Sequence, residues 1–559
     1  MRQVVSCAAP TDLHDLTLAE TSDLLRTRRI SPVELTRALL QRTKRYDQSV
    51  NAFITITEDL ALEQATAAER EISAGHWRGP MHGVPFALKD LYNTAGVLTT
   101  ANSRLYETNV PSHDATAVAK LYEAGAVLLG KLKTHEFAQG GPATDLPWPP
   151  ARNPWNVAHF TGGSSSGSAA AVAAGFVPAS LGTDTGGSIR GPAALCGVAG
   201  LRPTYGLVSR YGVFPNSYTF DACGPIARTA EDCAILLQVI AGHDPRDPAS
   251  ARADLPDFRQ QLRTELRGLK IAVIRHFWEE DLPAHPDVVG AMDSALDVLR
   301  ELGAELYTVR LRPLQEYYDV RNVIALSELM AVQHADLVER PHAFCMDFLG
   351  RALAGCLFQS LDYVEAQRER RCMEAEIREV YSLYDAFISP ASPAAAPRLD
   401  AYRTSGYWQR PNITTPFSIS GGPALSVCNG FSGNGLPLGL QIAGRPFDDA
   451  TVLAIGHAYE KTTQWSAHRP TLSDVPLEPV VIGDDSTRPT MLDEESRERV
   501  AALARHAGFR LDSRQLSALY SAAPYAIAMA QRIRRRRPPS DEPANVFRHT
   551  AENEEACGC

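Results

Sequence analysis

One stretch of this 559-residue chain restricts the fold more than any other. Between positions 161 and 200 only Asp184 and Arg190 are charged, and Gly, Ser and Ala dominate. Flexible linkers share that composition. A linker, however, would not contain 169–176, a run of small and apolar residues that reads as a tightly packed helix. The stretch therefore belongs inside a packed domain, where its glycines leave the backbone free to approach other groups closely.

The flanking sequence supplies the larger elements. Residues 51–56, 126–129, 386–389, 425–427 and 436–442 read as strands, 84–88 as a short apolar run, 60–72 and 116–124 as helices, and 288–384 as mostly helical. Thr17-x-x-Glu20 and Ser31-Pro32-Val33-Glu34 are capping-box starts of two N-terminal helices. Short apolar runs alternating with helical patterns predict an α/β layered structure. Residues 1–470 carry this pattern, and 471–492, with Pro476, Pro479 and Pro489, reads as a linker. A helical appendage follows at 493–537, with helix starts at Asp493 and Asp512 and with Pro524 interrupting or kinking its second helix. Two short helices bury little surface alone, so the appendage must dock on the main body or on a second subunit. Residues 538–559, including Cys557 and Cys559, read as a disordered tail.

Composition excludes several classes. Asp and Glu outnumber Lys and Arg by 65 to 55, a net charge of −10, which argues against a nucleic-acid binder. The cluster of Arg532 and 534–537 reads as a solvated helix end. The ten cysteines form no CxxC and no zinc-finger spacing, as for buried thiols in a reducing compartment. Residues 1–7 lack the apolar region of a signal peptide, and no apolar run reaches the length of a membrane span. A cytoplasmic chain is expected.

Three segments carry chemistry: Lys89 at the end of the apolar run 84–88, the run Gly162-Gly163-Ser164-Ser165-Ser166-Gly167-Ser168, and Gly182-Thr183-Asp184-Thr185-Gly186-Gly187-Ser188-Ile189-Arg190. A serine hydroxyl is a weak nucleophile until a base takes its proton. Lysine serves as that base when neutral, and an apolar site lowers its pKa toward that state. Glycines beside a serine let backbone N–H groups converge on the oxygen of a tetrahedral intermediate, each donor contributing about 3–4 kcal/mol. A second serine can relay the proton where the lysine cannot reach directly.

Together these segments resemble the amidase signature family. The 162–200 core matches its signature, including Asp184 to Arg190; 75 residues separate Lys89 from Ser164, and 24 separate Ser164 from Ser188. The resemblance continues through Gly421-Gly422-Pro423-Ala424 and 435–441, covering roughly residues 10–465. It implies a mixed β-sheet core covered by helices on both faces, and a Ser–cis-Ser–Lys triad. Ser188 is then the acylated nucleophile, Ser164 the bridging serine with a cis peptide, and Lys89 the base. Thr185, Gly186, Gly187 and Ser188 form the oxyanion hole. Asp184 and Arg190 support the loop, with Arg190 also a candidate contact for an anionic substrate. No metal or cofactor is implied, and a homodimer is. The appendage resembles the small helical protein found with transamidases and carboxybiuret hydrolases.

The reading is an amidohydrolase releasing ammonia or an amine from a small-molecule amide, anilide, carbamate or biuret-like compound. A transamidase-type subunit supplying ammonia to a partner, and an inactive scaffold, are the competing readings. Gly163-Ser164-Ser165-Ser166-Gly167 also fits the nucleophile elbow of an α/β-hydrolase, with Ser165 as nucleophile. Asp184-Thr185-Gly186 copies the aspartic-protease triplet, but a carboxylate dyad needs two copies. Cys196 has no activating His beside it, and His135-Glu136 lacks a second His at zincin spacing. Segment 135–141 is expected at the substrate pocket, and Phe344, Phe348, Phe358, Tyr363 and Trp408 either shape that pocket or pack.

Overall fold

The computed structural model describes residues 12–480, 482 and 491–533. The expected tail 538–559, the arginines 534–537, residues 1–7 and Pro489 lie outside the described residues. Eleven strands are described: β1 (Phe53–Ile56), β2 (Pro85–Lys89), β3 (Val127–Leu132), β4 (Ala179–Asp184), β5 (Ala199–Arg202), β6 (Ala222–Ala227), β7 (Lys270–Val273), β8 (Glu305–Thr308), β9 (Ala386–Pro390), β10 (Ala424–Phe431) and β11 (Pro437–Gly444). They form one sheet in the order β1-β3-β2-β4-β6-β5-β10-β11-β9-β7-β8. Pairing is mixed. β2 runs parallel to β3 and β4, β7 runs parallel to β8 and β9, and the other pairs are antiparallel. Every residue of β2, β3, β4, β6, β9 and β11 is buried. Successive strand residues point to opposite faces, so helices cover the sheet on both.

The small-residue stretch packs as its composition requires. Helix Ser166–Ala173 is buried at every position and lies against β2, β3, β4 and β6. A methyl on Gly167 would fall 2.4 Å from Ala52 O and 2.5 Å from Lys133 N, so only glycine fits there. Thr17 and Glu20 close a full capping box at 3.1 and 2.9 Å. Ser31 caps its helix through the amides of Val33 and Glu34, but its hydroxyl bonds Glu69 and Glu34 does not reach back.

β4, β5, β6, β7 and β8 carry no strand reading in the sequence. Three of them are ASLGTD, AGLR and ACGPIA, rich in the small residues and proline that are poor strand formers alone. β8 interrupts the stretch read as helical. Neighbouring strands, rather than local preference, hold these segments extended.

Residues 471–480 run without regular structure. Helices Glu494–His506 and Ser513–Ile533 follow, capped by Asp493 and by a reciprocal Asp512–Gln515 pair. The second helix continues through Pro524 instead of stopping there. Its buried Leu519, Ala522, Ala523, Ala526, Met529 and Ile533 supply the packing that holds it. It docks within the same chain, on Leu314–Glu339, Met346–Ala352 and Ser360–Tyr381, and Arg532 pairs with Asp319 at 2.5 and 2.7 Å. Among the described residues, no helix is long and apolar enough to cross a membrane.

Candidate active site

Strand pairing assembles the site. β2 and β4 run side by side with Leu88 opposite Leu181, which brings Lys89 and Thr183 together at their C-terminal ends. The loop before helix Ser166–Ala173 crosses these ends, and its Gly163–Ser164 peptide is cis. Lys89 is wholly buried. Its Nζ donates to Ser164 Oγ at 2.7 Å, to Thr183 Oγ1 at 2.7 Å and to Thr183 O at 3.4 Å. Burial pushes the lysine down to about 7, against the opposing pull of Asp184 and Asp221. An amine so placed is substantially neutral near pH 7 and can accept a proton.

A cavity of about 360 Å³ opens above these groups. Ser164, Gly186, Gly187 and Ser188 line it, with Ala138, Gln139 and Gly140 from the expected segment 135–141. Ser188 is partly exposed there, and its hydroxyl has no hydrogen-bond partner among the described residues.

The Ser188 loop hangs on one buried carboxylate. Asp184 accepts from Gly187 N at 2.8 Å and Ile189 N at 3.1 Å, and pairs with Arg190 through Nε at 3.0 Å and Nη2 at 2.9 Å. Burial would raise Asp184, but Arg190 and Arg202 more than offset it and hold the carboxyl far below its ordinary value. Thr414 Oγ1 donates to Gly186 O at 2.7 Å, and Thr185 Oγ1 to Asp221 at 2.6 Å.

Two sequence expectations are corrected. Arg190 is not a substrate contact: it is wholly buried, and its remaining N–H groups go to Thr414 O, Gln441 Oε1 and Ser418 Oγ at 2.7–2.9 Å. The Gly187 amide is committed to Asp184, whereas those of Gly186 and Ser188 have no partner among the described residues. Ser165, the alternative nucleophile, is buried and bonded to Thr183 O at 3.2 Å, outside the cavity lining.

His135 and Glu136 serve the scaffold. His135 stacks on Phe160, and its Nδ1–H donates to Gly140 O, 2.6 Å away; burial depresses it to about 3. Glu136 takes hydrogen bonds from Ser103 Oγ and Cys345 N. Cys196 is buried, and burial pushes its thiol far up, out of nucleophile range. Phe344 and Phe348 stack on each other at 5.0 Å, and neither they nor Phe358, Tyr363 or Trp408 lines the cavity. The aromatics that do are Phe160, Tyr318 and Tyr407.

Sequence reading missed Thr183, Arg321, Arg351 and Thr414. Thr183 had a signal, its place next to Asp184. The others come from distant segments and meet the Ser188 loop only in the folded chain.

A family model described as Amidase matches residues 34–453. The A-subunit of the glutamyl-tRNA(Gln) amidotransferase from Geobacter metallireducens is 40% identical over 485 residues, 82% of this chain and 99% of that protein. A solved vestigial protein complex, reported to reveal the origins of an s-triazine catabolic enzyme, aligns with a TM-score of 0.74 and 32% identity over 80% of this chain and 99% of its own. Peptide amidase from Stenotrophomonas maltophilia aligns with a TM-score of 0.70 and 30% identity over 83% and 98%.

Proposed function

The chain belongs to the amidase family and is an enzyme acting on C–N bonds, and on that premise we propose that it hydrolyses a small-molecule amide through an acyl-enzyme on Ser188. The observation that carries this reading is the buried, proton-shedding Lys89 bonded to Ser164 in the cavity that Ser188 lines. Ser188 Oγ attacks the amide carbonyl. Its proton passes to Ser164, whose own proton passes to Lys89. The resulting oxyanion is held by the amides of Gly186 and Ser188, with Thr185 contributing at the loop's entry. Collapse breaks the C–N bond, and Lys89 returns its proton through Ser164 to the departing nitrogen. Water then attacks the ester by the same relay and frees the acid. No step calls on a metal or cofactor.

A second reading has its own support: the relatives named as amidotransferase subunits would make this chain an ammonia-supplying member of a larger assembly. Both share every step up to loss of ammonia. The purified chain, given a primary amide, an anilide, a carbamate, biuret and glutamine, separates them. Release of ammonia or amine without a partner supports the hydrolase; release only after a partner is added supports the assembly. Acylation by a serine-reactive probe at a residue other than Ser188 would refute both. The same proposal includes a cytoplasmic homodimer, which light scattering on the purified chain tests.

A further inference from the structure

The cavity carries an uncompensated positive charge. Three arginines line it, Arg321, Arg351 and Arg410, and its described lining includes no Asp or Glu. Two of the three are accounted for. Arg351 pairs with Asp347 at 3.3 Å and stacks on Tyr407, and Arg410 is exposed to water. Arg321 is different. It is only 7% exposed, forms no ion pair with a described carboxylate, and its Nε has no hydrogen-bond partner. Its Nη1 donates to Asn322 Oδ1 at 2.7 Å and, weakly, to Tyr407 Oη at 3.4 Å. A buried guanidinium without a counter-charge is destabilising. Arg152 is as buried and likewise forms no ion pair with a described carboxylate, so it is the place of Arg321 in the cavity lining beside Ser188 that points to a ligand anion.

Its place says which ligand. The guanidinium rests on Gly186: a methyl there would fall 2.8–2.9 Å from Nη2, Cζ and Nε. Gly186 lies two residues before Ser188, a span of at most roughly 7 Å along the chain. Arg321 thus faces the substrate a few bonds from the carbonyl under attack. A guanidinium matches a carboxylate in shape, donors and charge. The same described lining has no carboxylate to pair with an ammonium group.

We propose that Arg321 is the specificity determinant of the site, binding the free carboxylate of a short dicarboxylic acid monoamide, and that the cavity disfavours substrates that also carry an ammonium beside that carboxylate. This rests on the Ser188 reading for turnover but not for binding.

Three amides of equal length test it: glutaramate, with a carboxylate; pentanamide, without one; and glutamine, with carboxylate and ammonium. Ammonia release should favour glutaramate over both in kcat/KM. In Arg321→Gln the glutaramate-to-pentanamide ratio should drop about a hundredfold, the usual cost of losing one partner of a buried charge pair. Calorimetry on Ser188→Ala gives an arm independent of turnover: glutaramate binds, pentanamide binds far more weakly, and adding Arg321→Gln abolishes the difference. Because Arg321 has no counter-ion, Arg321→Gln should melt no lower than wild type, whereas a purely structural arginine would lower the transition. An unchanged ratio in Arg321→Gln, equal binding of glutaramate and pentanamide, or preference for glutamine over glutaramate overturns the assignment. Persistent turnover in Ser188→Ala would instead sink the nucleophile and leave the binding arm to decide on Arg321.

Discussion

Thr183→Val tests the base of the proton relay through a neighbour that passes no proton itself. The substitution keeps the shape of the side chain and removes only the hydroxyl that accepts from Lys89 Nζ at 2.7 Å. A hydrogen bond involving a charged group contributes about 1.5–3 kcal/mol and a neutral one about 0.5–1.5 kcal/mol. The difference, roughly 1 kcal/mol, is what the Thr183 hydroxyl adds in favour of the ammonium over the amine. At about 1.4 kcal/mol per pKa unit, losing it moves Lys89 down by about 0.7 unit. The assay is kcat/KM for ammonia release as a function of pH. In the wild type the acid limb should have its midpoint at about 7, with activity falling roughly tenfold per pH unit below it. In Thr183→Val the limb should slide to lower pH by about half a unit to one unit. A limb that stays in place or moves upward would refute the contact's role, and a limb that survives in Lys89→Ala would refute lysine as the base.

Other outcomes follow from the same contacts. Lys89 holds its proton less tightly in the folded chain, at about 7, than at its ordinary 10.5, so folding stability rises with pH across that window. The gain is roughly 5 kcal/mol. The buried Lys133, also pushed down to about 7, adds a rise of its own, so Lys89→Met, inactive, should show a markedly shallower rise of the urea midpoint than the wild type over the same range, and an equal rise would contradict the burial argument. Arg190→Met leaves Asp184 buried without its main partner and should cost about 3–5 kcal/mol, read as a lower urea midpoint. A midpoint like that of the wild type would show that Asp184 does not depend on the pair. Arg532→Ala removes a half-exposed partner from the buried Asp319 and should cost only about 1 kcal/mol. Hydrogen exchange should speed up in 513–533, and unchanged exchange would show that apolar packing alone docks the helix.

Much of the chemistry is local and was therefore legible in the sequence. Lys89 ends the apolar run 84–88, which with the two glycine- and serine-rich segments marked it in the sequence, and the folded chain buries it. The glycines beside Ser188 keep side chains away from the backbone of that loop, and the capping patterns at Thr17, Asp493 and Asp512 act within a few residues. The strands richest in large apolar residues were legible for the same reason. Tertiary structure decided what depends on residues far apart in the chain. β4, β5 and β6 are extended because neighbours pair with them, since their own residues have little preference for it. Arg190 turned from a candidate substrate contact into a buried strut because Thr414, Ser418 and Gln441, more than 200 residues away, take its donors. Arg321 reached the Ser188 loop only because Leu314–Glu339 packs against Thr415–Ile419, next to the Thr414 that bonds Gly186, and its missing counter-ion is a property of that assembled surface. A nucleophile and its cradle are written in consecutive residues; the charge that selects their substrate is set by which distant helix closes the cavity.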